Sequence, residues 1–215
     1  MSKPLLRTPL YDLHHAAGAK IIPFAGYEMP VSYAGIKKEH QAVREKVGVF
    51  DVSHMGNFEL TGPQAMNYLE SMTTNGVHKL QVGDVQYSSL CNEEGGMIDD
   101  ILVYRYASER FQVIVNAGNK SADWDELTSK IPPDGVSLVN KSEVLGILAV
   151  QGPNAEALCE KILGQSLSEM AFYRCGLTQF GGEELLFSRT GYTGEDGFEF
   201  YLKNDLLVPF WECLL

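Results

Sequence analysis

Apolar positions recur along the chain at two periods, and glycine, proline or asparagine stands where the period changes. Ile36, His40, Val43 and Val47 fall on one face of a helical repeat, with Lys and Glu between them, so residues 36–47 are expected to form an amphipathic helix. On that reading His40 is a packing histidine on the apolar side. Residues 49–52 and 56–60 read as short strands. Thr61 as N-cap and Pro63 in a first turn predict a helix over 62–72. Strands are expected at 85–91 and 97–106, joined by the Asn92-Glu93-Glu94-Gly95-Gly96 turn, and again at 111–115. A helix follows at 121–130, and Pro132-Pro133-Asp134-Gly135 breaks the chain. An apolar strand at 144–150 leads through Gln151-Gly152-Pro153-Asn154 into a helix ending near Leu163, and strands are expected at 184–189 and 197–202.

Helices mixed with hairpin-joined strands predict an α+β fold with antiparallel sheets rather than a doubly wound parallel one. The hairpin, helix, hairpin rhythm of residues 49–116 fits a ferredoxin-like unit. From Asp205 the chain starts another helix, with Leu206, Leu207, Phe210, Trp211 and Leu214 as its apolar side. That helix reaches Leu215 without a capping turn, so the sequence is expected to be cut short.

Composition removes several functions. The formal net charge of −11 lacks the basic footprint of a nucleic-acid or anionic-membrane binder. Residues 1–50 nevertheless carry a net +3, leaving −14 for the remainder, so a locally basic entrance for an anionic ligand tail is compatible with the whole. Cys91, Cys159, Cys175 and Cys213 form no C-x-x-C pair and read as reduced thiols, with no zinc site implied. No apolar run approaches the roughly 20 residues of a membrane span. The opening Met-Ser-Lys-Pro is too short and too weakly basic for a transit peptide, so a cytoplasmic location is expected.

Two stretches carry candidate chemistry. In the strand after the 92–96 turn, alternation puts Asp99 in line with Met97, Ile101 and Val103, and Asp100 in line with Ile98, Leu102 and Tyr104. Neither carboxylate has an obviously solvated face, and an unpaired buried charge is costly, so each is either paired, lining a cavity or simply a solvated turn acid. The second stretch, residues 190–197, holds three glycines with Tyr192 and Glu195. It suits a clamp on a planar heterocycle, Tyr stacking and Glu accepting from ring N–H groups, and it equally suits a plain glycine-rich hairpin. It lacks the Gly-Lys-Ser/Thr of a phosphate loop. His14-His15 read as surface or capping residues, and His54 as an orienting structural one. No Ser-His-Asp or Cys-His set assembles with any specificity.

These motifs, with Thr8-Pro9-Leu10-Tyr11, residues 23–30, His40-x-x-Val43-Arg44, residues 49–56, Tyr87-Ser88, residues 92–104, Val115-Asn116-Ala117, Ala149-Val150-Gln151-Gly152-Pro153 and residues 190–199, resemble in order and spacing the glycine cleavage T-protein (aminomethyltransferase) family. The resemblance implies the folate-binding part of that family. Its fold would be two intertwined ferredoxin-like subdomains, residues 1–50 with 140–215 and residues 51–139, with the family's C-terminal β-barrel missing. It implies transfer of a one-carbon unit from the aminomethyl-lipoyl arm of the H protein to tetrahydrofolate, without a metal. The products would be 5,10-methylenetetrahydrofolate, ammonia and dihydrolipoyl H protein. Asp99 would then be the catalytic carboxylate near the N10 nitrogen and Asp100 structural. Glu195 would grip the pterin edge, and Tyr87, Asn116, Tyr173, Tyr192 and Met55 would line the folate pocket. A positive patch around Lys37, Lys38 and Arg44 is expected to dock the H protein. Two alternatives stand beside this reading: a folate-binding module that turns nothing over, and a related folate-dependent protein.

Overall fold

The computed structural model describes residues 4–215; the opening Met-Ser-Lys, on which the transit-peptide expectation rests, lies outside the described residues. The chain forms two compact units. Unit 1 comprises the described residues up to His54, then Val144–Phe172 and Leu177–Leu215. Unit 2 comprises Met55–Glu143 and Tyr173–Gly176.

The first passage through unit 1 gives α1 (Tyr11–Ala16), β1 (Lys20–Phe24), β2 (Tyr27–Ser32), α2 (Ile36–Glu45) and β3 (Gly48–Asp51). Unit 2 follows with β4 (Gly56–Thr61), α3 (Ala65–Met72), β5 (Asp84–Cys91), β6 (Met97–Ala107), β7 (Arg110–Val115), α4 (Lys120–Ser129) and β8 (Ser137–Asn140). The return adds β9 (Leu145–Gln151), α5 (Ala155–Leu163), β10 (Cys175–Phe180), β11 (Glu183–Ser188), β12 (Gly197–Lys203) and α6 (Asn204–Leu214). Helices and antiparallel strands combine in an α+β architecture.

In unit 1 the strand order is β10-β11-β12-β9-β3, and β12 and β3 flank β9 antiparallel on its two sides. Alternation in β12 sends Phe198, Phe200 and Leu202 into a core shared with Leu148 and Val150 of β9 and with Leu207, Phe210 and Trp211 of α6. The Phe200 and Phe210 rings meet at 4.8 Å. The residues between them, Glu199 and Tyr201, belong to the opposite face. In unit 2 the order is β5-β6-β7-β4-β8, all antiparallel. Phe58, Leu60, Ile101, Val103, Phe111, Val113 and Val115 pack there with Leu69 of α3 and Leu127 of α4. Asp99 shares the strand parity of Ile101 and Val103, so the chain drives a carboxylate toward an apolar interior.

Three sequence expectations need correction. The helix expected over 62–72 begins only at Ala65, because Thr61 stays in β4 and Gly62 has φ +119, outside the helical region. Of the face expected to pack inward, Val43 is buried and Val47, just past the end of α2, packs against the core, but Ile36 is 72% exposed, and His40 is exposed too, so it is no packing histidine. His14, read as a surface or capping residue, is 1% exposed. The β1–β2 hairpin, turning at Ala25-Gly26 where both residues have positive φ, and strands β8 and β10 were not expected at all.

The α6 side of the unit 1 core supplies a direct test. Leu207 is fully buried among aromatic rings, so Leu207→Ala is expected to lower unfolding stability by about 3 kcal/mol in a urea titration.

Candidate functional site

In unit 2 the paired acids separate. Asp99 is 3% exposed and accepts from the backbone N–H of Asn116 (2.9 Å), from Asn116 Nδ2 (3.0 Å) and from Asn119 Nδ2 (2.7 Å). The alternative of two solvated turn acids is therefore excluded for Asp99. Asp100, next along β6, is only half-buried. The Tyr87 hydroxyl donates to its Oδ2 (2.9 Å), and Asn116 Nδ2 to its Oδ1 (3.1 Å). The Asn116 amide thus bridges both acids, one facing the interior and one facing out. Tyr87 is 52% exposed, so the Tyr87–Asp100 pair is open to solvent and to small molecules. The Asp100 bond is the foremost cause holding the Tyr87 phenol above its ordinary pKa. A third acid, Asp123 of α4, is fully buried. Burial, then the charge of Asp99, pushes its pKa up to about 8. Tyr173 has φ +63, and its carbonyl accepts from the Val85 N–H (2.9 Å). Met55 is half-buried, immediately before β4.

In unit 1 the glycine-rich stretch is tied down from below. Gln151 Nε2 donates to the Thr190 carbonyl (3.1 Å), and Thr193 Oγ1 donates to Gln151 Oε1 (3.0 Å). A Cβ on Gly191 would stand 1.9 Å from Gln151 Oε1, so glycine is required there by this side chain rather than by a ligand. Glu195 spends its charge on Arg44 at 2.7 Å. Tyr192 is 58% exposed, edge-on to Phe50 with ring centroids 5.6 Å apart.

Two further groups were missed by the sequence reading. Glu199 is 9% exposed; burial raises its pKa, opposed only by the Thr190 hydroxyl that donates to it. Its charge acts on Tyr192. The signal was present: Phe198-Glu199-Phe200 puts one acid into a strand that is otherwise apolar. The second is His14, whose Nε2–H donates to Asp51 (2.9 Å) while Nδ1 accepts from the Tyr33 hydroxyl (2.8 Å). Burial works against the Asp51 charge, and the bonds from His14 and Ser53 outweigh it, so its pKa lies below the ordinary value. Burial, then the Asp51 charge, pushes the Tyr33 phenol up to about 12, so it stays a donor at neutral pH. Tyr33 and Asp51 border an open cavity of about 600 Å³ in unit 1, whose wall also includes Phe24, His40, Arg44 and Tyr192.

Residues 10–215 match the family described as the GCVT N-terminal domain. The chain belongs to that family. It is 45% identical over 221 residues to an aminomethyltransferase of Symbiobacterium thermophilum, covering 100% of this chain and 59% of that one. It is 48% identical over 208 residues to an aminomethyltransferase of Chloroherpeton thalassium, covering 97% and 58%. The crystal structure of glycine cleavage system aminomethyltransferase T from Bartonella henselae superposes with TM-score 0.91 at 37% identity, over 98% of this chain and 57% of that one. A heterotetrameric sarcosine oxidase from Corynebacterium sp. U-96 shares the fold alone, with TM-score 0.66 at 16% identity. The chain therefore spans just under three fifths of the curated relatives it matches.

Among the residues expected from this family, Asp99, Asn116 and Tyr87 come together in unit 2, with Asp100 as the group joining Asn116 to Tyr87. Met55 and Tyr173 lie in the same unit, while Tyr192 and Glu195 lie in unit 1. Among the described residues no cluster of three or more His, Cys, Asp or Glu side chains is arranged for a metal ion, and no helix is long and apolar enough to cross a membrane. Burial pushes the Cys159 and Cys175 thiols up to about 12, which removes both as thiolate nucleophiles at neutral pH.

The buried His14–Asp51 pair gives the second test. His14→Leu removes one partner and leaves the carboxylate without its main donor, so it is expected to cost about 3 kcal/mol at neutral pH by urea unfolding. Because the folded pKa of Asp51 is depressed, its contribution is present above the unfolded value and lost as pH falls through the folded one. Asp51→Asn should accordingly flatten the acid limb of the stability curve.

Proposed function

We propose that this chain is the folate-binding part of an aminomethyltransferase that passes a one-carbon unit from the aminomethyl-lipoyl arm of the H protein to tetrahydrofolate. The observation that carries this reading is the family match over residues 10–215. In the reaction the methylene carbon loses its bonds to the amine nitrogen and to sulfur and gains bonds to folate N5 and N10. The two folate N–H protons end on ammonia and on the lipoyl thiol, leaving 5,10-methylenetetrahydrofolate and dihydrolipoyl H protein. Loss of ammonia passes through an iminium-like cation, and a fixed carboxylate beside N10 stabilises that charge and takes up the N10 proton. No metal is needed for these steps. We place the reaction in the cytoplasm.

The geometry favours Asp100 over Asp99 for this carboxylate. Asp99 has three amide donors and almost no accessible surface, whereas Asp100 is half-buried beside an exposed phenol. Asp99 then becomes the group that holds Asn116. For the pterin edge, Glu199 competes with the expected Glu195. Glu195 is already neutralised by Arg44, while Glu199 is buried with a single hydroxyl donor, and pterin amino and ring N–H groups would complete its bonding. The folate-stacking role is kept for Tyr192 of unit 1 and the apolar and aromatic folate contacts for Met55 and Tyr173 of unit 2, with Lys37, Lys38 and Arg44 as the docking patch for the H protein.

Calorimetric titration of tetrahydrofolate, with single-turnover ammonia release from aminomethyl-loaded H protein, tests this assignment. Asp100→Asn should keep binding and slow release by about 100-fold. If Asp99→Asn, still folded, abolishes release while Asp100→Asn does not, the first acid is the catalytic one. Binding without release in the parent chain would make it a folate module that turns nothing over. Glu199→Gln should weaken tetrahydrofolate binding by about tenfold or more, and Glu195→Gln by less. The reverse order would return the pterin to Glu195.

A further inference from the structure

The buried acid of α4 has no place in the reaction as described. Asp123 is fully buried, and among the described residues no donor reaches either of its carboxylate oxygens. Asn119, one helical turn before Asp123 and bonded to its backbone N–H, donates to Asp99 at 2.7 Å, so the group Asp123 meets is another carboxylate, Asp99 of β6, itself 3% exposed. Two ionised carboxylates facing each other in a dry interior would be strongly destabilising, and among the described residues no metal cluster stands there to neutralise them. The donors are unequally shared. Asp99 takes three amide N–H groups from Asn116 and Asn119, which stabilise a negative charge, and Asp123 takes none. The proton of the pair therefore belongs on Asp123, whose hydroxyl then supplies Asp99 with a fourth donor. Among the described residues the charges that act on Asp123 are those of Asp99 and Asp100 from β6; on α4 itself Lys120 and Glu126 stand one turn to either side, Glu126 being tied to Lys130 at 2.6 Å.

The bonds run on from this pair to the outward acid. Asn116 Nδ2 donates to Asp99 Oδ1 at 3.0 Å, to Asp100 Oδ1 at 3.1 Å and to the Asp100 carbonyl at 3.1 Å. The orientation of that amide is thus set on one side by Asp99 and felt on the other by Asp100. We propose that Asp123 is a positioning residue: protonated and donating to Asp99, it locks the Asn116 amide and so fixes the carboxylate of Asp100. The functional half of this inference rests on the role given above to Asp100; the proton on Asp123 does not.

The test uses the 215-residue chain and two Asp123 variants. Infrared spectra with isotope-labelled aspartate should show a protonated carboxylic acid at pH 7 in the parent, disappearing with a midpoint near 8 and missing from Asp123→Asn. An asparagine amide can donate in place of the acid, so exchange of the Asn116 side-chain N–H should stay as slow in Asp123→Asn as in the parent. In Asp123→Ala it should quicken by about tenfold or more. Folded Asp123 keeps its proton up to about 8 while the unfolded group loses it near 3.8, so stability should fall as pH rises through that window, and Asp123→Asn should abolish this fall. Absence of the acid band in the folded parent overturns the proton on Asp123. Unchanged Asn116 exchange in Asp123→Ala overturns the positioning role, and if that variant does not fold, faster exchange in the folded Asp123→Asn does so instead. Full ammonia release in Asp100→Asn would sink the catalytic role of Asp100 while leaving the acid band intact, so the two claims fail separately.

Discussion

Burying carboxylates is the constraint around which both units are arranged. A charge moved out of water must find donors, a counter-charge or a proton, and the chain uses a different remedy at each site. Asp51 meets His14 and the Ser53 backbone and stays ionised. Asp99 is surrounded by asparagine amides. Glu199 has one hydroxyl and a raised pKa, and Asp123 has no donor among the described residues. These remedies fix local structure. The His14–Asp51–Tyr33 chain ties α1 to the end of β3 and to the residue after β2, both at the unit 1 cavity, and the asparagines after β7 tie the start of α4 to β6.

From this constraint follows a division of labour along a single strand. Successive residues of β6 face opposite sides, so one of two adjacent acids is drawn into the interior and the other is presented outward. The inward acid is held by amides, and the outward acid shares one of those amides and a phenol. A carboxylate held in this way is preorganised: its orientation is set before any substrate arrives, which is the condition for electrostatic stabilisation of a developing cation.

Much of the fold was legible in the sequence because its periods are clean. The β5–β6 hairpin across Gly95-Gly96, β12 with its alternating Phe198, Phe200 and Leu202, and α6 with its apolar side all lie within a residue or two of where the pattern puts them. What could not be read was set by partners distant in sequence. His14 looked like one of two surface histidines because its companions, Asp51 and Tyr33, lie 37 and 19 residues away. His40 looked buried because helical periodicity shows which residues share a face, not whether another element covers it. Asp99 and Asp100 stand out in the sequence as a pair, but alternation alone does not say which side of the strand is the interior. The deciding fact is the asparagine pair: Asn116 and Asn119 both donate to Asp99, whereas Asp100 shares the Asn116 amide with it. Glycine density does not tell a ligand clamp from a plain hairpin, and at Gly191 the glycine makes room for the protein's own Gln151.

The central claim is that the outward acid, Asp100, is the group that meets the folate nitrogen. A structure of this chain with tetrahydrofolate bound tests it most directly. The account predicts N10 within about 3 Å of the Asp100 carboxylate, with Asn116 and Tyr87 still bonded to that group. A folate whose N10 meets Asp99, or that leaves Asp100 bare, would contradict it.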